Sequence, residues 1–163
     1  MAGGAEVELA DLEFELKVLD PRLHEWGLPT YHSDMAAGLD LRACIDAPIA
    51  VEPQAPATMV PSGVAILINR PDVVALVLPR SGLGARQGII LGQAVGTIDS
   101  DYAGPWLIPL INRNAPGTPP VVINPGDRIA QAVFLPLLRP TFRVVEEFSV
   151  ETARGAGGFG STG

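Results

Sequence analysis

The sequence predicts an all-β fold, a barrel or jelly-roll-like sandwich, and three observations carry that expectation. Apolar residues come in short runs, and some alternate with polar residues at the two-residue period of a strand. Between the runs lie 18 glycines and 16 prolines, scattered as turn residues are in β proteins. At 163 residues the chain can bury one core but not two, and its 47% apolar and 18% charged content is that of a folding globular chain.

Taken in order, residues 1–10 read as a loosely ordered extension, 11–152 as the β domain and 153–163 as a mobile glycine-rich arm. Phe14, Leu16 and Val18 alternate with Glu13, Glu15 and Lys17, which marks the first strand. Short apolar runs bounded by Pro, Gly or Asn follow at 49–51, 58–60, 64–68, 73–78 and 89–91, then at 107–111, 121–123, 129–135 and 142–145. Roughly ten short strands with closely spaced turns are what a barrel or a two-sheet jelly roll requires. Residues 114–120, Asn-Ala-Pro-Gly-Thr-Pro-Pro, compose a stiff surface loop.

The formal net charge of −7, from 11 basic and 18 acidic residues, leaves no broad basic field and argues against a nucleic-acid polymer as partner. Only Lys17 among the basic residues is a lysine, a bias that fits either phosphate gripping or codon usage. The single Cys44 excludes an internal disulfide and a multi-cysteine zinc site, and points to a reducing compartment. No apolar run reaches the ~20 residues that span a bilayer, and the N-terminus is acidic where a signal peptide is basic. The expectation is a cytoplasmic protein with no membrane partner.

Five segments carry candidate chemistry. The tail from Arg154 to Gly163 contains Gly-x-Gly-x-x-Gly, but too little chain follows for the helix of a dinucleotide fingerprint, and no Gly-Lys-Ser/Thr makes it a P-loop. It reads either as a phosphate cradle, with Arg154, Ser161 and Thr162 adding donors to its backbone N–H groups, or as a disordered terminus. Pro79-Arg-Ser-Gly-Leu-Gly84 puts Arg80, Ser81 and Gly82 at a strand end, as an anion site or as a polar turn. Within Gly96-Thr-Ile-Asp-Ser-Asp-Tyr-Ala-Gly104, either Asp99 or Asp101 can orient a water as general base, and Tyr102 offers a flat ring to a sugar or to the core. Ala37-Gly-Leu-Asp-Leu-Arg-Ala43 and Pro125-Gly-Asp-Arg-Ile-Ala-Gln-Ala-Val-Phe134 supply Asp40 with Arg42 and Asp127 with Arg128, which by themselves read as surface ion pairs. His24 and His32 read as surface or loop histidines.

In this order and at this spacing, the five segments resemble the five motifs of the trimeric dUTPase family over residues 17–163. The bacterial members are most similar, as in Lys17-Val-Leu-Asp-Pro-Arg22 and Leu28-Pro-Thr-Tyr31. The resemblance implies a jelly-roll-like subunit in a homotrimer whose active sites lie at subunit interfaces, and a Mg²⁺-assisted hydrolysis of dUTP to dUMP and pyrophosphate. That reaction limits uracil in DNA and supplies dUMP. It also implies a β-hairpin through Gly92 to Tyr102 that holds uracil at Gln93, Gly96, Thr97 and Ile98, largely by backbone bonds, with Tyr102 against the deoxyribose and Asp99 as the water-activating base. Arg80, Ser81 and Gly82 of a neighbouring subunit would grip the phosphates and Gln131 would position the α-phosphate. The arm of a third chain would close over the site, with Phe159 covering uracil, Gly160 lining the substrate, and Arg154, Ser161 and Thr162 on the γ-phosphate. Mg²⁺ would ride on the phosphates with no direct protein ligand, Asp40 ordering its water shell.

The sequence departs from the pattern where Gln93 replaces an Asn frequent in bacterial relatives. Pro105-Trp106 and the 114–120 loop depart as well, and both are expected to alter the trimer surface. Two rivals remain: a dCTP deaminase or bifunctional enzyme of the same fold, and a catalytically silent nucleotide-binding regulatory protein on the same subunit.

Overall fold

The computed structural model describes residues 12–157; the extension expected at 1–10, and Phe159, Gly160, Ser161 and Thr162 of the arm, lie outside the described residues. The strands are β1 (Glu15–Val18), β2 (Leu39–Arg42), β3 (Ile49–Val51), β4 (Thr58–Pro61), β5 (Val64–Leu67), β6 (Val73–Pro79), β7 (Ile89–Leu91), β8 (Gly96–Ile98), β9 (Leu107–Asn112), β10 (Val121–Ile123) and β11 (Arg128–Pro136). One short helix, α1 (Leu23–Trp26), and a π-helical turn at Leu83–Gln87 interrupt them. No helix among the described residues is long and apolar enough to cross a membrane.

The strands form four antiparallel sheets, ordered β1-β5, β10-β3, β2-β11-β6-β8 and β4-β9-β7. Alternation sets what each strand buries. In β6 the first, third and fifth residues, Val73, Ala75 and Val77, point inward, and in β9 Ile108, Leu110 and Asn112 do. They meet Leu41, Val60, Ile123 and Ile129 in one continuous core, each fully buried aliphatic contributing about 1.5–3 kcal/mol. Asn112 is the polar exception. Its Nδ2 donates to the Val51 carbonyl at 3.0 Å and its Oδ1 accepts from the Asn114 amide at 3.0 Å, so the end of β9 is tied to β3 without leaving a buried group unpaired.

Three expectations are corrected. Residues 142–145 form no strand: Phe142 and Val144 are exposed, and no strand among the described residues pairs with them. The hairpin expected from Gly92 to Tyr102 is not a pair of bonded strands either, since β7 pairs with β9 and β8 with β6; residues 92–95 instead cross from one sheet to another. Trp106, expected to alter the subunit surface, is buried in the core at 1% exposure, immediately ahead of β9.

Ahead of α1, Arg22 is locked in place. It reaches Asp20 with Nε and with Nη2 at 2.6 Å, donates Nη1 to the Ile45 carbonyl, and lies 5.0 Å from the Trp26 ring centre. The Arg22 guanidinium holds the Asp20 carboxyl below its ordinary value of 3.8. A carboxylate depressed in this way contributes stability above its unfolded value, and that contribution is lost as pH falls through the folded one. Asp20→Asn is therefore expected to melt below wild type at pH 7, with the gap closing as both are taken below pH 3.8; a gap that stays constant down to pH 2 would contradict this. Nearby Cys44 is buried, and burial pushes its thiol up to about 11, which keeps it from acting as a nucleophile.

Candidate functional site

The central sheet brings three of the sequence segments together. Asp40 on β2 is the register partner of Gln131 on β11, and Gln131 is the partner of Leu78 on β6, so that Arg80, just past the end of β6, lies on the same side of the sheet end. Gln131 Nε2 donates to the Pro79 carbonyl at 3.1 Å and steadies that strand end. The Asp40 side chain, 12% exposed, is shared by three side chains: Oδ1 takes Arg80 Nε at 2.7 Å, and Oδ2 takes Arg128 Nη1 at 3.1 Å and His32 Nε2 at 2.9 Å. Arg80 spends only its Nε there. Its terminal Nη groups make no hydrogen bond among the described residues and remain available to an anion, as do the exposed Ser81 and Gly82 next in sequence.

A second group forms around β8. This strand is the edge of its sheet, bonded only to β6, so the outer backbone N–H and C=O groups of Gly96, Thr97 and Ile98 face away from any strand. Gly96 is needed for close packing: a Cβ there would come 3.1 Å from Gln93 Nε2 and 3.2 Å from Val77 Cβ. Beyond β8 the chain turns, with the Tyr102 amide donating to the Asp99 carbonyl at 3.1 Å. The Tyr102 hydroxyl donates to the Pro105 carbonyl at 3.0 Å, and its ring lies so close over Gly104 that a Cβ would sit 2.7 Å from Cζ. Asp99 and Tyr102 open onto a cleft of about 340 Å³ shared with Thr97, Ile98 and Trp106.

The two groups do not meet within one chain. In register, Ile98 faces Ala75, which places Asp99 opposite Val74, whereas Arg80 lies beyond Pro79 at the other end of β6. Six residues at about 3.3 Å each put roughly 20 Å between those positions. A strand bonded on both sides cannot fold to close that distance.

A dUTPase family model matches residues 24–163. The chain belongs to the dUTPase family. It is 53% identical to the deoxyuridine 5'-triphosphate nucleotidohydrolase of Coxiella burnetii (strain Dugway 5J108-111) over 150 residues, 91% of this chain and 95% of that one. It is 52% identical to the enzyme of the same name from Xanthomonas campestris pv. campestris (strain B100), with the same coverage. Its fold is that of the Staphylococcus bacteriophage 80alpha dUTPase bound to dUPNHPP, at a TM-score of 0.77, 24% identity and coverage of 93% and 98%.

On this dUTPase-family subunit, the residues singled out in the sequence fall into two spatial groups and a remainder. Asp40, Arg80, Ser81, Gly82 and Gln131 make one; Gln93, Gly96, Thr97, Ile98, Asp99 and Tyr102 make the other. Arg154 belongs to neither, and its Nε donates to the Gly157 carbonyl at 2.8 Å. His32 and Arg128 are the residues that sequence reading left on the surface and the dUTPase fold brings to Asp40. The signal for Arg128 lay in its register opposite β2, which no single-sequence pattern reveals. Replacing the carboxylate, as in Asp40→Asn, leaves two guanidiniums facing each other; it is expected to cost about 1–3 kcal/mol of stability in thermal or denaturant melts, and an unchanged melt would show that the pairing contributes nothing.

Proposed function

We propose that this chain hydrolyses dUTP to dUMP and pyrophosphate, at a site that joins the β8 half of one subunit to the Arg80 half of another. One observation carries the second part of the reading: the roughly 20 Å between the half-sites along β6 is too long for Asp99 and Arg80 to act on one triphosphate from a single chain. Support for further copies comes from the segment after β11, where Leu138, Phe142, Val144 and Phe148 are about nine-tenths exposed, an apolar face that a homotrimer would cover.

The edge of β8 suits a base. Uracil presents an acceptor, a donor and an acceptor along one edge, and an unpaired strand edge offers the complementary N–H and C=O groups at fixed spacing, which rejects cytosine by its exchanged pattern. Gln93 and Ile98 flank that edge, and Tyr102 supplies a flat surface for the deoxyribose. Asp99 accepts a proton from the attacking water and points it at the α-phosphorus. From the neighbouring chain, the Arg80 guanidinium, already aimed by Asp40, takes phosphate oxygens together with Ser81 and the Gly82 amide, and Gln131 reaches the α-phosphate. Arg154 with Phe159, Gly160, Ser161 and Thr162 closes the site from the arm.

Among the described residues no three His, Cys, Asp or Glu side chains gather as a protein metal cage. The donor chemistry instead fits a Mg²⁺ ion carried on the triphosphate, with Asp40 Oδ1, which keeps a lone pair beyond its Arg80 contact, holding a metal-bound water. That ion would neutralise charge developing on the leaving pyrophosphate. The single buried Cys44 is compatible with a reducing, cytoplasmic setting.

The assay that tests the reading is pyrophosphate release measured in parallel with dUTP, UTP, dTTP and dCTP. Turnover of dUTP alone is expected. Ammonia release from dCTP would favour a deaminase, and no turnover of any of the four would favour a silent binding protein. In the same assay Asp99→Asn is expected to lose on the order of 10²-fold or more in kcat while keeping nucleotide affinity, the scale of a positioned base; near-normal turnover would remove Asp99 from the role.

A further inference from the structure

We infer that Arg86 completes a separate diphosphate site, a cleft that receives the leaving pyrophosphate next to the Arg80 half-site. The inference rests on the dUTP reading for the identity of the anion. A cleft of about 460 Å³ is lined by Arg80, Arg86, Arg128, Gln87, Asn124 and Asp127, among others. Three of the 11 basic residues in a chain of net charge −7 therefore face one opening. Two of them are partly neutralised, because Arg80 and Arg128 share Asp40. Arg86 is different: it is exposed and makes no ion pair or side-chain hydrogen bond among the described residues, so its five N–H donors have only water to satisfy them.

Polar groups around it favour an oxyanion over an apolar ligand. Gln87 and Asn124 line the cleft, and the one carboxylate on its wall, Asp127, is turned to Asn124, whose backbone N–H donates to its Oδ2 at 2.8 Å. Gln131, expected at the α-phosphate, lies three residues into β11 from Arg128, about 10 Å along the strand, and does not line the cleft. An anion held by the cleft arginines therefore lies off the α-phosphate position, where the phosphates distal to the nucleoside are expected. A guanidinium can meet two oxygens of a diphosphate at once, whereas dUMP, which keeps only the α-phosphate, does not extend that far.

The test is calorimetric titration of the full-length protein with inorganic pyrophosphate and, separately, with dUMP, for wild type, Arg86→Ala and Arg86→Lys. Arg86→Ala is expected to weaken pyrophosphate binding roughly tenfold, the effect of losing about one charge-assisted contact, to leave dUMP binding unchanged, and to be partly rescued by Arg86→Lys. Equal pyrophosphate affinity in wild type and Arg86→Ala would overturn the inference, and so would a parallel loss of dUMP affinity, which would indicate a distorted subunit. The outcomes separate from those of the dUTP reading: a wild type that binds pyrophosphate through Arg86 but hydrolyses no dUTP would sink the reaction and keep the anion site. One that hydrolyses dUTP with a pyrophosphate affinity indifferent to Arg86 would sink the site alone.

Discussion

β6 is the constraint on which the rest depends. Its seven residues pair with β11 along one edge and Ala75–Val77 pair with β8 along the other, so its ends are held apart by the full extended length of the strand. The turn after one end presents Arg80, Ser81 and Gly82; the strand paired near the other end leads into Asp99 and Tyr102. Backbone hydrogen bonds on both edges make this separation rigid, and rigidity is useful to an enzyme that works by positioning. Both groups are fixed at opposite ends of β6 within one four-stranded sheet, and the proposed function has two subunits bring complementary halves together.

Around Arg80, the organising charge is a carboxylate rather than a cation. Asp40 sits where β2 crosses β11, partly shielded from water, and a shielded carboxylate must be paired. Arg80 and Arg128 pair it from two other elements, which fixes three strands at one point and aims the free end of Arg80 outward. His32 adds a contact at 2.9 Å whose strength depends on its charge. The arrangement reconciles a net acidic chain with a polyanionic substrate: what matters to a triphosphate is the few guanidiniums that local acids hold in place, while the global charge acts only at a distance that salt screens.

Short apolar runs bounded by turn residues made β6, β9 and β11 legible in the sequence, because a strand packed into a core needs a continuous apolar stretch of its own length. β8 was not legible as a strand. Gly-Thr-Ile has no alternating apolar pattern, and only its pairing with β6 makes it one. Residues 142–145 show the converse, an apolar run with no neighbour in the chain to pair with. The site divides in the same way. Glycine-punctuated segments identified Arg80, Asp99 and the residues around them, since turn chemistry is local and readable. The contact of His32 with Asp40 and the distance between the half-sites depend on loop path and strand register, which a single sequence does not state.

A crystal structure with a non-hydrolysable dUTP analogue and Mg²⁺ addresses the central claim most directly. The account predicts uracil against the edge of β8 in one copy of the chain and the phosphates on Arg80 and Gln131 of a second copy, with a water between Asp99 and the α-phosphorus. A nucleotide whose base and phosphates both lie on the same chain, with Asp99 remote from the α-phosphorus, would contradict it.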